Sequence, residues 1–349
     1  MKIKNIIVIA LLILVNTSIF AQEKKEYKVM TIAFYNLENL FDTIVDLDTN
    51  KILQDDFTVK GKHKWNTEKY TKKLGNMSKV ISEIGVDVAG APPVIVGISE
   101  VENELVIKDL ISHKNLKKYN YGVVHYESSD RRGIDVGLIY RKEFVKIKNT
   151  TSTVLKIKDK PDFRTRDQLM VEAEIDGETM YFIVNHWPSR RGGEKRSSPL
   201  REAAAVLSRQ IADSILAINK DAKIIMMGDL NDQPTNKSVK KVFKTSGDVK
   251  NVKDGQFYNT MEHYYKKGIG TGAWRDTWSL FDQIIISPSY ISKNKTTWSY
   301  YQSHIYKKPY LIQQTGRFKG YPYRTYVGDS FKGGYSDHFP VYIYLIKEK

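Results

Sequence analysis

Six apolar, β-rich runs of this 349-residue chain begin or end in acids, amides or imidazoles. Asn36 and Glu38 follow Val29 to Tyr35, Glu100 follows Val94 to Ile98, and Asn185 with His186 follows Met180 to Val184. Asp229 and Asn231 follow Lys223 to Met227, Asp282 precedes Gln283 to Ile286, and Asp337 with His338 precedes Phe339 to Leu345. Any one of these is ordinarily a turn residue or a helix cap. Their repetition is what calls for chemistry. Carboxylate oxygens hold hard divalent cations, a carboxylate or imidazole takes a proton from water, and amide and imidazolium groups stabilise developing negative charge.

The segments differ in how much they say. Val94-Ile-Val-Gly-Ile-Ser-Glu100 delivers one carboxylate, either a cap for a helix after Asn103 or a cation ligand. In Gly-Asp229-Leu-Asn231-Asp232 the glycine allows close backbone approach while Asp and Asn alternate onto one side, although such runs also form plain turns. Tyr335-Ser-Asp337-His338-Phe-Pro-Val is the most specific, because a polar pair opening a buried strand is costly unless it has partners. His186 reads equally as a residue beside a turn. Arg131, Arg132 and Arg164 are the candidates for holding an anionic substrate; the ordinary role for them, and for Arg166, is that of solvated charges.

Positioning these residues requires strands. Beyond the six runs, Tyr121 to Tyr126, Ile134 to Tyr140 and Leu169 to Ile175 also read as strands. Two apolar stripes at helical spacing predict helices: Tyr70, Leu74, Met77, Val80, Ile81 and Ile84 within Thr67 to Ile84, and Ala204, Leu207, Ile211, Ile215 and Ile218 within Leu200 to Ile218. Short connections imply hairpins, and helices separate the strand groups. The expected fold is therefore α/β, with two mixed sheets packed face to face and helices outside. Asn251 to Leu280 and Ser299 to Tyr335, aromatic and basic without periodicity, read as long surface loops. No linker or repeat divides the chain, so residues 22–349 are expected to form one domain.

Composition narrows the partners. Lys and Arg number 55 against 40 Asp and Glu, a formal charge of +15 that favours polyanions such as nucleic acid or anionic membrane surfaces. Zero cysteines exclude disulfides, thiolate zinc sites, a cysteine nucleophile and a lipoprotein anchor, so any metal sits on oxygen or imidazole. Met1-Lys-Ile-Lys, the apolar run Ile6 to Val15 and a small-residue pattern ending at Ala21 read as a signal peptide over residues 1–21. The expectation is export to the periplasm or beyond, with no integral span after cleavage.

Taken together and in order from Tyr35 to Val341, Tyr-Asn36-Leu-Glu38-Asn, Ser-Glu100-Val-Glu, Asn-His186-Trp-Pro-Ser, Gly-Asp229-Leu-Asn231-Asp, Phe-Asp282-Gln-Ile and Ser-Asp337-His338-Phe-Pro-Val resemble the motifs of the endonuclease/exonuclease/phosphatase superfamily. The resemblance implies a four-layer α/β sandwich that cleaves phosphoesters with Mg²⁺, or with Mn²⁺ or Ca²⁺. It implies that Glu100 is the principal metal ligand, assisted by Glu38 and Asp337. Asp229 would orient and deprotonate water, Asn231 and Asn36 would fix phosphate oxygens, Asp282 and His338 would form a dyad, and His186 would meet the phosphate or the leaving oxygen. The inositol-phosphatase branch carries Trp-Cys-Asp-Arg around the dyad aspartate, whereas this chain has Trp278-Ser-Leu-Phe-Asp282-Gln283, which disfavours that branch. The leading expectation is an exported nuclease, an endonuclease first, with nucleic acid as substrate. The alternatives are a phosphodiesterase or phosphatase acting on phospholipid head groups or small phosphoesters, and a noncatalytic polyanion-binding module.

Overall fold

Side chains alternate along the first strand, β1 (Tyr27–Leu40): Met30, Ile32 and Phe34 enter one apolar cluster, while Ala33, Tyr35 and Leu37 enter another. All six are buried, so the sheet that contains β1 has to be covered on both faces. The computed structural model describes residues 25–349 except 47, 50 and 53, and the expected signal peptide lies outside the described residues.

In chain order the strands that follow are β2 (Ile95–Val101), β3 (Tyr121–His125), β4 (Asp135–Arg141), β5 (Val145–Thr153), β6 (Gln168–Ile175), β7 (Glu178–His186) and β8 (Lys223–Asp229). Then come β9 (Thr245–Ser246), β10 (Phe257–Asn259), β11 (Gly272–Trp274), β12 (Thr277–Ser279), β13 (Asp282–Ile286), β14 (Ser299–Ile305), β15 (Tyr326–Val327), β16 (Ser330–Phe331) and β17 (Val341–Glu348). One sheet has the order β14-β17-β1-β2-β4-β3 and the other β5-β6-β7-β8-β13-β10-β9. Both are mixed, with β1 parallel to β2 and β7 parallel to β8.

Met30, Phe34, Leu138, Val171, Phe182, Met227 and Ile343 fill the space between the two sheets. Helices α1 (Thr67–Glu83) and α3 (Glu104–Ser112), separated by the short α2 (Val86–Ala89), cover the outer face of the first sheet through Met77, Val80, Ile81, Ile107 and Leu110. The outer face of the second sheet is covered by α4 (Glu194–Ile218), which precedes the short α5 (Glu262–Lys266). The result is helix, sheet, sheet and helix, the α/β sandwich expected.

Several local expectations need correction. The α1 stripe is buried at every predicted position, and Asn66 caps the helix by accepting from Lys69 N–H at 3.0 Å. Helix α4, by contrast, starts at Glu194 rather than Leu200 and takes in Pro199. It turns Arg201, Ala204, Ala205, Ser208, Ala212 and Ile215 inward, leaving Ile218 89% exposed. Of the expected stripe, Ala204 and Ile215 are buried, and Leu207 and Ile211 pack half-buried against the same cluster. Ser299–Ile305 is a strand rather than a loop, and Val145–Thr153 is a strand that carries no clear pattern. Both lie at sheet edges, where one flank stays unpaired and polar side chains are tolerated.

Candidate active site

The parallel pairs β1/β2 and β7/β8 end at the same rim, the place where open α/β sheets present ligand-binding groups. Register sets His186 opposite Asp229 and, across the antiparallel neighbour, Asp282 opposite Asp229. Gly228 is needed for this approach: a Cβ there would lie 2.2 Å from the Asn185 carbonyl oxygen. On the other sheet the β1–β2 ladder slips between Asn36 and Leu40, and Ser99 and Val101 flank a slip in the β2–β4 ladder. Glu38 (φ 50°) and Glu100 (φ 59°) stand at these slips in left-handed backbone, as does Asn231 (φ 50°). Non-glycine residues in this region cost of order 1–3 kcal/mol each, a strain that bulges at functional sites keep in order to aim a side chain.

Three nitrogens converge on one oxygen of Asp229. Asn36 Nδ2 donates to Oδ2 at 3.1 Å, His186 Nε2 lies 3.6 Å from it and His338 Nε2 3.8 Å. The second oxygen accepts from Asn231 N–H at 3.0 Å, and Asn231 Nδ2 is anchored on the Trp187 carbonyl. Burial pushes the Asp229 carboxyl up against the opposing pull of His338, to about 6. His338 Nδ1 sits 2.7 Å from Asp282 Oδ2, which Thr271 also contacts. Burial alone would lower His338, but Asp282 and then Asp337 hold it well above the ordinary imidazole value. His186 goes the other way: burial, then Arg166 and Arg132, push it well below, so it is neutral. One rim therefore sets a reluctant carboxylate between a neutral and a cationic imidazole.

Beside it, Glu38, Glu100 and Asp337 surround two cations that sequence reasoning missed. Arg324 donates from Nε to Glu38 Oε1 at 3.2 Å and from Nη2 to Asp337 Oδ2 at 2.6 Å, while Thr325 N–H donates to Glu38 Oε2 at 2.7 Å. Lys73 is only 1% exposed, donates to Thr325 Oγ1 at 2.6 Å and is held by burial down to about 8, although Glu38 and Asp337 oppose the fall. A lysine next to Leu74 on the buried stripe of α1 was a legible signal; Arg324, in an aperiodic loop, gave none. Glu100 does not cap α3, because Asn103 does so by accepting from Val106 N–H.

All nine predicted catalytic and metal residues, Asn36, Glu38, Glu100, His186, Asp229, Asn231, Asp282, Asp337 and His338, reach this rim. The arginines divide. All three line an adjoining cavity of about 1030 Å³, but Arg132 is half-buried, 3.5 Å from Asp130 and 3.7 Å from Glu100, while Arg131 and Arg164 are exposed on its wall. Arg166 is not a solvated charge: it is buried, holding the His186 and Trp187 carbonyls and Asp130.

The sequence profile of the endonuclease/exonuclease/phosphatase family matches residues 31–347. No curated protein sequence matches the chain. Among solved structures, an endonuclease/exonuclease/phosphatase family protein from Bacteroides thetaiotaomicron is similar with TM-score 0.56 and 17% identity, covering 93% of this chain and 99% of that one. A mannosyl-6-phosphatase from the same species gives 0.52 and 18%, covering 90% and 99%. D. rerio TDP2 complexed with single-strand DNA product gives 0.52 and 16%, covering 91% and 98%. At these identities the likeness is one of fold, and with the profile match across nearly the whole chain, the protein belongs to the endonuclease/exonuclease/phosphatase family.

Proposed function

We propose that this phosphoesterase is a nuclease, an endonuclease first, which hydrolyses phosphodiesters of nucleic acid by in-line attack of water. Its family consists of divalent-metal-dependent hydrolases of phosphoesters. The observation that carries the hydrolytic reading is the single Asp229 oxygen ringed by Asn36, neutral His186 and cationic His338. Asp229 takes the proton of the attacking water, and its raised pKa makes it a better base than a free aspartate. His338, kept charged by Asp282, stabilises the charge that builds on the phosphoryl oxygens. Neutral His186 donates a hydrogen bond to a nonbridging or leaving oxygen, and Asn36 and Asn231 hold the base and phosphate in line. Action outside the cytoplasm is part of the proposal and rests on the N-terminal sequence alone.

The donor set fits a hard cation. Glu100 Oε2 accepts from Asn39 N–H, while its Oε1 lies 3.7 Å from Arg132 and 3.8 Å from His186, beyond hydrogen-bond reach. Asp337 Oδ1 lies 3.9 Å from His338 Nε2, also beyond hydrogen-bond reach. Glu100 and Asp337 would hold the ion directly. Glu38, with both oxygens engaged by Arg324 and Thr325, would act through water. When bound, the ion supplies charge neutralisation at the phosphoryl group. Glu100→Gln should weaken Mn²⁺ binding at least about tenfold by calorimetry, and unchanged affinity would remove Glu100 from the ligand set.

Nucleic acid as substrate is supported by the arginine-rich wall of the adjoining cavity, where Arg131, Arg164, Arg191 and Arg196 meet the N-terminus of α4, and by the chain's charge of +15. The test is a panel of single- and double-stranded DNA and RNA, phospholipids and sugar phosphates, each with Mg²⁺ and with chelator. Cleavage of strands that stops with chelator, together with affinity that falls steeply with salt at about 0.7 per phosphate contact on single strands, is the expected result. Intact strands alongside hydrolysed lipid or sugar phosphate would overturn the nuclease reading.

A further inference from the structure

On the flank of the rim formed by Asp337, the ribbon β11–β12 stands beside the catalytic groups. Its stem is tied to them: Thr271 contacts Asp282, Thr271 N–H donates to the Ser279 carbonyl at 2.8 Å, and Phe339 N–H donates to the Thr271 carbonyl at 2.8 Å. At its tip a two-residue loop places Arg275 (φ 47°) and Asp276 (φ 64°) in left-handed backbone, conformations that hairpin loops usually give to Asn-Gly. That strain is held by a clasp. Asp276 N–H donates to Tyr321 Oη at 2.6 Å, and the Tyr321 hydroxyl donates back to the Asp276 carboxylate. The pinned tip carries Trp274, which is 69% exposed. Left that exposed, a large aromatic adds little to folding, and among the described residues its ring has only the Arg275 guanidinium, 5.7 Å away, beside it.

Between the tip and the loop after β14 lies a cavity of about 400 Å³, walled by Trp274, Phe318 and Tyr321 with Arg275, Arg317 and Arg324. Arg324 joins this cavity to the rim, because the same guanidinium holds Glu38 and Asp337. Flat aromatic faces bordered by guanidinium groups suit a planar, electron-rich ring attached to an anionic backbone. Few aliphatic side chains line the space, as an acyl chain would require.

We infer that this cavity is a stacking subsite for one nucleobase adjoining the scissile phosphate, with Trp274 as its platform. The inference rests on the nuclease reading and deepens it: the arginine-walled cavity on the other flank of the rim holds backbone phosphates, while this one reads a base face. Stacking tolerates every base, so the subsite fixes which bond is cut relative to a base rather than which base is present.

The experiment uses the full chain with Mg²⁺ and a short single strand in which one abasic tetrahydrofuran residue is moved position by position, cleavage at each bond being read by gel. For wild type, an abasic residue at one fixed offset from a bond should slow cleavage of that bond about 5- to 150-fold. Trp274→Ala should slow the fully based strand by a similar factor, and the abasic residue should then cost this variant less than about twofold, since both changes delete one interaction. Trp274→Phe should retain most of the wild-type sensitivity. If wild type cuts strands but ignores the abasic residue at every offset, or if the two losses multiply, the subsite is wrong and the nuclease reading stands. If wild type cuts no strand, the nuclease reading fails and the subsite falls with it.

Discussion

Asp229→Asn is expected to fold at least as well as wild type and to lose about 10²- to 10⁴-fold in kcat, the range a positioned general base contributes. The stability half of this expectation follows from the carboxyl's surroundings. Asp229 is 3% exposed, and burial raises its pKa to about 6 even though His338 opposes the rise. A carboxyl whose folded value lies above its unfolded value binds its proton more tightly in the native state. Stability from this group is therefore present below about pH 4 and declines as pH rises through 6. The asparagine cannot ionise and escapes that decline. Urea denaturation in chelator should show the variant ahead of wild type at pH 8, with the gap closing towards pH 4. Wild-type kcat/KM should rise with pH through about 6 as the base loses its proton. A variant that keeps its rate removes Asp229 from the chemistry, whatever its stability does.

The same tension between burial and charge explains what could be read from sequence. Groups carried by core strands were legible, because an apolar run that alternates between two buried faces fixes its own direction, and a polar residue at its end has to emerge at a rim. Asn36, Glu100, His186 and Asp229 all follow that logic. Asp282 and His338 follow it from the opposite strand ends. Lys73 was missed, although a lysine beside Leu74 on the α1 stripe offered a readable signal. Arg324 and the Tyr321–Asp276 clasp were not visible, since they lie in segments whose conformation comes from tertiary hydrogen bonds rather than from any period. The face of α4 was read in part, with Ala204, Leu207, Ile211 and Ile215 on the packed side and Ile218 exposed. Hydrophobicity points to Leu207 and Ile211, yet close approach to the sheet is served by Ala204, Ala205, Ser208 and Ala212.

The Asp282–His338 pair should behave as one unit. Asp282 is completely buried, its Oδ2 holds His338 Nδ1 at 2.7 Å, and its Oδ1 has no hydrogen-bond partner among the described residues. Such a carboxylate is tolerated because the adjacent imidazolium neutralises it, and the imidazolium in turn resists desolvation because of the carboxylate. Either His338→Gln or Asp282→Asn should therefore cost about 10²- to 10³-fold in kcat, and the double variant little more than one single, so the losses fail to multiply. The pH response separates this reading from simple misfolding. In wild type the charged His338 persists well above the ordinary imidazole value, so its contribution should vanish only well above the pH at which a free imidazole titrates. In Asp282→Asn the principal force raising His338 is gone and burial lowers it. The alkaline fall in rate should then move towards neutrality, leaving the variant closer to wild type at pH 6 than at pH 8. A deficit independent of pH, or single losses that multiply in the double variant, would show that His338 acts without its partner.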